Sequence, residues 1–471
     1  MRFKPSTGES AFRYATAKFR YCTVRPAPLR TFILLPAVMA ILIMAAAISQ
    51  ITTASPAAPS SLITAASPAA PSSLVTSVSS AAPLSPAIHP EVTKSASAGL
   101  APAETVPPSL LMDDYFIRDV RASIEHLYNR DLETSLEALA DWKRAYPDHP
   151  IWPLWKALDA WWPILIDLEN TSYDDDFLID AQVVVDLCDA ILKQDENHLD
   201  ALVVRSVING QIARYYSNRY RWYRSFLHGR RALRDFFHVE HEHPDMPDMQ
   251  FGLGMYRYFT AFLVDEYAIA RSLRWMLPSG DRADGLSRLA VAADSSIFVE
   301  PEATYFLGHI YLHFENEPDK ALGYLRDLYH RYPHNSYYRR LYVRSLFNLN
   351  LHNDALAAIR ESLDHPFDPD SHESLTMRED LHTIRALIQY SRSDYQAAQD
   401  DFLEAVANAE KLTPFAERVN LITSLYYLGQ LSIRDGRRDL ARFYFSRAAT
   451  PDIDHPHVKK AREALRAHRL D

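Results

Sequence analysis

A small residue, a large apolar residue four positions on and a further packing residue three later recur along the second half of this chain. The copies read Ala321, Leu325, Leu328; Ala355, Ile359; Ala398, Phe402, Ala405; and Ala441, Phe445, Ala448. At 3.6 residues per turn these positions share one helix face, so the small residue lets a neighbouring helix approach and the large one fills the space beside it. Leu307-Gly308 precedes the first copy and Leu428-Gly429 the last, while Pro333 follows the first, where a helix must stop. A unit recurring in this way cannot bury its own apolar face. It must stack on its neighbours, which makes the core distributed along the chain.

Composition agrees. Glycine occurs 12 times in 471 residues, which starves turns and sheets and suits packed helices, so the expected fold is all-α. From Leu110 onward apolar residues keep helical spacing, interrupted at turns such as Tyr146-Pro147-Asp148 and Tyr332-Pro333-His334. At this length the chain exceeds one compact core and suits an elongated array.

The spacing resembles the tetratricopeptide repeat family, in its membrane-anchored bacterial type. Ala321 to Ala355 is the family's 34-residue step, whereas the next two steps, to Ala398 and Ala441, are 43 residues each, so loops or first helices are lengthened there. The copy at Gly308 carries one extra residue in its intervening turn. Earlier units are read at Ser135, Leu139 and Pro147, at Val183, Leu187 and Ala190, and at Leu253-Gly254 with Gly285, Leu289 and Ala292. Val458 to Leu470 reads as a polar-backed capping helix. The resemblance implies a right-handed α-solenoid over residues 109–471 whose concave face is lined by the first helix of each pair. It implies protein-binding positions there at Tyr305 and His309, at Tyr337, Arg340 and Arg344, and at Tyr426 and Gln430.

Residues 1–30 carry seven Lys or Arg against only Glu9 and form a basic leader. Within residues 31–51, Phe32 to Ile48 is an unbroken apolar run of 17 residues, at the short end of what spans a bilayer. Its basic flank stays cytoplasmic, which places the chain beyond Ser49 on the far side. Ala45 and Ala47 match a signal-peptidase site, so both an uncleaved anchor and a cleaved signal are compatible with the sequence, and both export the helical part. Residues 52–108 are rich in Ala, Ser, Pro and Thr, with ASPAAPSSLIT from Ala54 repeated nearly unchanged from Ala66, and are expected to be a disordered tether.

The net charge of −10 divides into +6 for the leader, −1 for residues 31–108 and −15 for the rest. So acidic a domain is a poor binder of nucleic acid. Arg214 to Arg234 is the exception, with seven arginines, five Tyr or Trp and no acid; Arg219, Arg221, Tyr223 and Arg224 are its candidate contacts. Arginine beside aromatic rings receives carboxylates or phosphates well, yet the same stretch is compatible with a solvated or internally paired helix face. His238, His241 and His243, among Glu240, Glu242 and Asp245, form the densest ligand-type cluster. Their spacing matches no specific zinc motif, and a helix end before Pro244 explains them equally well. Trp152, Trp155, Trp161 and Trp162 read as core. Asp174 to Asp176 read as a helix N-terminal flank. Phosphate loops, nucleophile elbows and zinc helices are absent from the sequence, so no cofactor and no catalysis are expected. The expected role is an extracytoplasmic, membrane-tethered scaffold for a protein or peptide partner. The rivals are an envelope assembly protein and, more remotely, a metal-dependent enzyme around His238–His243.

Overall fold

The computed structural model describes residues 106–266, 280–412 and 418–470. The leader, the apolar segment and all but the last residues of the tether lie outside the described residues. Every regular element among the described residues is a helix. In order they are α1 (Asp114–Tyr128), α2 (Leu132–Glu137), α3 (Ala140–Ala145), α4 (Ile151–Ile166), α5 (Asp174–Gln194), α6 (Leu199–Asn218), α7 (Trp222–Glu242), α8 (Met249–Glu266) and α9 (Arg282–Ser295). They continue with α10 (Glu300–His313), α11 (Pro318–Arg331), α12 (Ser336–Asn348), α13 (His352–Asp364), α14 (His372–Ser391), α15 (Tyr395–Ala409), α16 (Val419–Arg434), α17 (Arg438–Ala449) and α18 (Pro456–Ala467). None of the described helices is long and apolar enough to cross a membrane.

Consecutive helices pair: α4 with α5, α6 with α7, α8 with α9, and so on to α16 with α17, with α18 covering the last pair. Five of the turns follow one rule, whereas α4 reaches α5 through the longer segment 167–173. The first helix ends, the second residue beyond it takes a left-handed φ, and the next helix starts two residues later. Arg130 (φ +66°), Tyr220 (+56°), Asn350 (+59°), Ser393 (+64°) and Gly436 (+73°) all hold this position. Between α10 and α11 the left-handed residue is Asn316 and the turn is one residue longer, as the spacing from Gly308 to Ala321 predicts. Asn and Gly tolerate this conformation, whereas Arg130 and Tyr220 adopt it at a steric cost. Helix starts are capped by side chains, among them Asp113 to α1, Asn335 to α12 and Ser371 to α14.

The small positions mark close approaches. A β-carbon added at Gly308 would lie 2.6 Å from Leu325 Cδ2, and one at Gly429 equally close to Phe445. Ala321, Ala355, Ala398 and Ala441 are fully buried, as are Ile359, Phe402 and Phe445. The long steps come from both sources: α14 has 20 residues against 13 in α12, and residues 365–371 connect α13 to it. One early unit needs correcting. Val183 is exposed on α5, and the buried small, large and small residues are Ala181, Val185 and Cys188, two positions earlier than Val183, Leu187 and Ala190. All four tryptophans of α4 are buried, and Trp155 donates to Ser123 Oγ at 2.8 Å. Pro163 neither ends nor caps α4, which continues to Ile166.

Candidate interaction surfaces

Two arginine-rich surfaces stand out, one on the first helices of the pairs and one on α7. The positions expected to line an open groove are not open in the first of these. Tyr305, His309 and Arg340 are buried, and Tyr337 and Arg344 are half-buried, because the chain's own first helices cover them. Arg340 donates to Asp380 at 3.1 Å and to the Ile166 carbonyl at 2.6 Å, and Arg344 shares Asp380 at 2.6 Å. Tyr305 and Tyr337 join through their hydroxyls at 2.8 Å, and Tyr337 and Tyr338 face the Trp162 ring. Arg214, at the end of α6, stacks over Trp161, Tyr305 and Phe306 and lies 3.7 Å from Glu302.

The cover is held by charge. Arg418 bridges Glu379 at 2.6 Å and Asp167 at 2.7 Å, with all three side chains buried. Arg130 pairs with Glu373 at 2.6 Å and with Asp159, Arg331 with Glu125 and Glu300, and Asn335 donates to the Tyr128 carbonyl at 2.8 Å. Burial raises the Asp167 carboxyl, but the His372 imidazole 3.0 Å away and the Arg418 charge outweigh it and bring the group to about 2. Glu169 is pushed the other way, to about 7, by burial and by the charges of Glu379 and Asp167, against the pull of Arg418. Burial holds the His309 imidazole well below its usual value, and neither ring nitrogen has a hydrogen-bond partner among the described residues. Arginine here is neutralised by carboxylates of the same chain.

Sequence reading found Tyr305, Tyr337, Arg340 and Arg344 but missed Asp167, Glu379, Asp380 and Arg418, which satisfy or complete them. The available signal was Asp167 directly after an apolar Ile164-Leu165-Ile166 run, and the acid pair Glu379-Asp380 within α14. Tyr426 and Gln430 on α16 bond to each other at 3.0 Å, and Tyr426 stacks on His457 of α18. They too are half-buried by the fold.

The stretch from Arg214 to Arg234 is not one helix face. It covers the end of α6, a turn and most of α7. Arg214 is buried, and Arg219 is tied to Asp174 at 2.6 Å and to the carbonyls of Leu168 and Asn170, so the Asp174 end of the acidic flank is an anchor for Arg219. Beyond the turn the situation reverses. Arg221, Tyr223, Arg224, Arg230, Arg231 and Arg234 are exposed, Tyr223 to 71%. Arg224 lies over the Tyr216 ring, and Arg221, Arg224, Arg230 and Arg231 form no ion pair among the described residues. Their field is felt at His228, which burial and the charges of Arg231 and Arg224 bring down to about 4.

The histidines at the end of α7 diverge. His238 contacts Asn197 Oδ1 at 2.8 Å, the His241 side chain is 84% exposed, and no group of three His, Cys, Asp or Glu converges as a metal site among the described residues. Cys188 is buried, and its thiol is pushed up to about 12 by burial.

No protein-family model matches the sequence, and no curated protein is detectably similar to it. Among solved structures it is similar to the yeast Tom70 crystal structure at 13% identity, over 77% of this chain and 90% of that one, with a TM-score of 0.26. A likeness that loose leaves the fold to be read from the helix pairs themselves.

Proposed function

We propose that this protein is a non-catalytic, membrane-tethered scaffold that holds a partner protein outside the cytoplasm, and that its working surface is the outer face of α7. Support for the scaffold role comes from the tetratricopeptide-like helix pairs, whose stacked faces are suited to protein recognition. Export and tethering rest on the basic leader and the apolar run at Phe32–Ile48. One observation carries the choice of surface: α7 and its N-cap Arg221 present four exposed arginines without acid partners among the described residues, beside Tyr223, in a domain whose net charge is strongly negative. Arginine and tyrosine are the residues that most often anchor an interface, and unpaired exposed charge steers an oppositely charged partner. The inner-face arginines have already spent their charge on Asp380, Glu379 and Asp167.

The test is chemical crosslinking and co-purification from native cells with the full chain and with Arg221→Glu combined with Arg224→Glu. The partner captured by the unmodified protein disappears from the double variant while the melting temperature is unchanged. Capture of the same partner in equal yield by both proteins contradicts the assignment.

A further inference from the structure

The outer face of α7 adjoins a groove whose shape and charge specify its occupant. α5 and α7 form its two walls and α6 its floor. One recess of ≈ 240 Å³ is lined by Asp189 and Val185 of α5, Arg205 and Asn209 of α6, and Arg231 and Arg234 of α7. A second, of ≈ 380 Å³, shares Asp189, Arg205 and Arg234 and adds Lys193, Glu196 and His238 among others. Because the two share three residues, they are successive parts of one groove. Its α5 wall runs from Val185 to Glu196, about 16 Å, and its α7 wall from Arg231 to His238, about 10 Å, at 1.5 Å per helical residue. An extended chain covers such lengths with about three to five residues.

The charges within the groove are ordered. Arg205 is fixed by Asp235 through two bonds of 2.7 and 2.9 Å and by Asp189 at 2.7 Å, which engages each of its three nitrogens and makes it part of the floor. Asn209 is likewise occupied, donating to the Arg205 carbonyl and receiving His228. Arg234 shares Asp235 through Nε and Nη2, so its Nη1 has no partner among the described residues, and Arg231 pairs with no acid among them. With Lys193 and Glu196 of the second recess, four basic side chains face three carboxylates, and Arg231, the arginine without an acid, stands at the end nearest Arg224 and Arg230. Two guanidinium groups one helical turn apart on the α7 wall are a receptor for a carboxylate on an extended backbone.

We infer that the groove between α5 and α7 takes an extended acidic segment of the partner protein, with a carboxylate seated on Arg231 and Arg234. This rests on the proposal that the α7 face is the working surface, and names what that surface reads.

The test uses the full-length protein in neutral detergent, titrated with fluorescein-labelled hexaglutamate, with hexalysine as the control. Hexaglutamate is expected to bind saturably and more weakly as salt rises. Arg231→Glu is expected to lower its affinity about tenfold or more, as loss of a charged hydrogen bond does. Leu192→Trp, which narrows the second recess without changing charge at a half-buried position, is expected to lower it as well, whereas Arg221→Glu, outside both recesses, costs less than about threefold. Equal losses from Arg221→Glu and Arg231→Glu with none from Leu192→Trp overturn the groove, while capture of the partner from native cells still decides the α7 face independently. Absence of hexaglutamate binding, with binding instead to vesicles of anionic phospholipid, also overturns it. Unchanged melting temperatures certify that each variant is folded.

Discussion

Arg340 and Arg231 are both arginines on helices of the same array, yet they do opposite things. Arg340 is buried, and its guanidinium closes on Asp380 and on the Ile166 carbonyl, a residue 174 positions away. Arg231 is exposed on α7 and meets no acid among the described residues. The first kind of arginine holds the chain to itself; the second is available to something else. A repeat pattern read along the chain identifies both as solvent-side or groove-side positions and cannot tell them apart, because the difference lies in what distant segments cover.

The contrast breaks most visibly at Arg418. Replacing it with Ala strands Glu379 as a buried carboxylate, leaves Asp167 with His372 alone, and is expected to destabilise the protein by about 3–5 kcal/mol in urea unfolding, the usual result of removing one partner from a buried charge cluster. A change below about 1 kcal/mol would mean the inner-face clasps are incidental to the fold. Arg340→Ala is expected to cost less, about 1–3 kcal/mol, because Arg344 still compensates Asp380 and only the Ile166 carbonyl and one carboxylate contact are lost.

Acid sharpens the same contrast. His457, buried beside Thr423 and Tyr426, is lowered from 6.5 to about 3 by burial and by His455 and Lys460, and His228 to about 4. Their unfolded forms bind more protons below 6.5, so stability is lost as pH falls from 6.5 towards 4 and below. Glu169, raised to about 7, works in the opposite sense: its contribution is complete below 4.5 and lost as pH rises through about 7. The unfolding midpoint is therefore expected to drop between pH 6.5 and 4, less steeply in His457→Gln; equal slopes would remove His457 from the explanation. The smallest effect belongs to Arg231→Glu, which is expected to change stability by less than about 0.5 kcal/mol while weakening acidic-peptide binding about tenfold or more.

Much of the second half was legible because its local chemistry agrees with its packing. Ala321, Ala355, Ala398 and Ala441 sit where their spacing places them, and the turn residues there include Asn316, Asn350 and Gly436. The first half hides the same turn behind Arg130 and Tyr220, which carry no turn signal, and its α5 copy is displaced to Ala181, Val185 and Cys188. The candidate site was half legible. Aromatic and basic composition singled out Arg214 to Arg234, but not that the turn at Tyr220 divides it into an internal end and an exposed one. Nor does spacing reveal that residues 125–169 cover the inner positions of α10 to α14, since those ion pairs join segments about 200 residues apart in sequence.

The central claim, that the inner face is closed by the chain and the α7 face receives the partner, is tested most directly by a photo-crosslinking amino acid placed singly at Tyr223 or at Tyr337 of the full chain in native cells. The proposal predicts a crosslink to a second protein from position 223, and from position 337 only crosslinks within the chain, to the neighbourhood of Trp162. A partner crosslinked from 337 and none from 223 would contradict it.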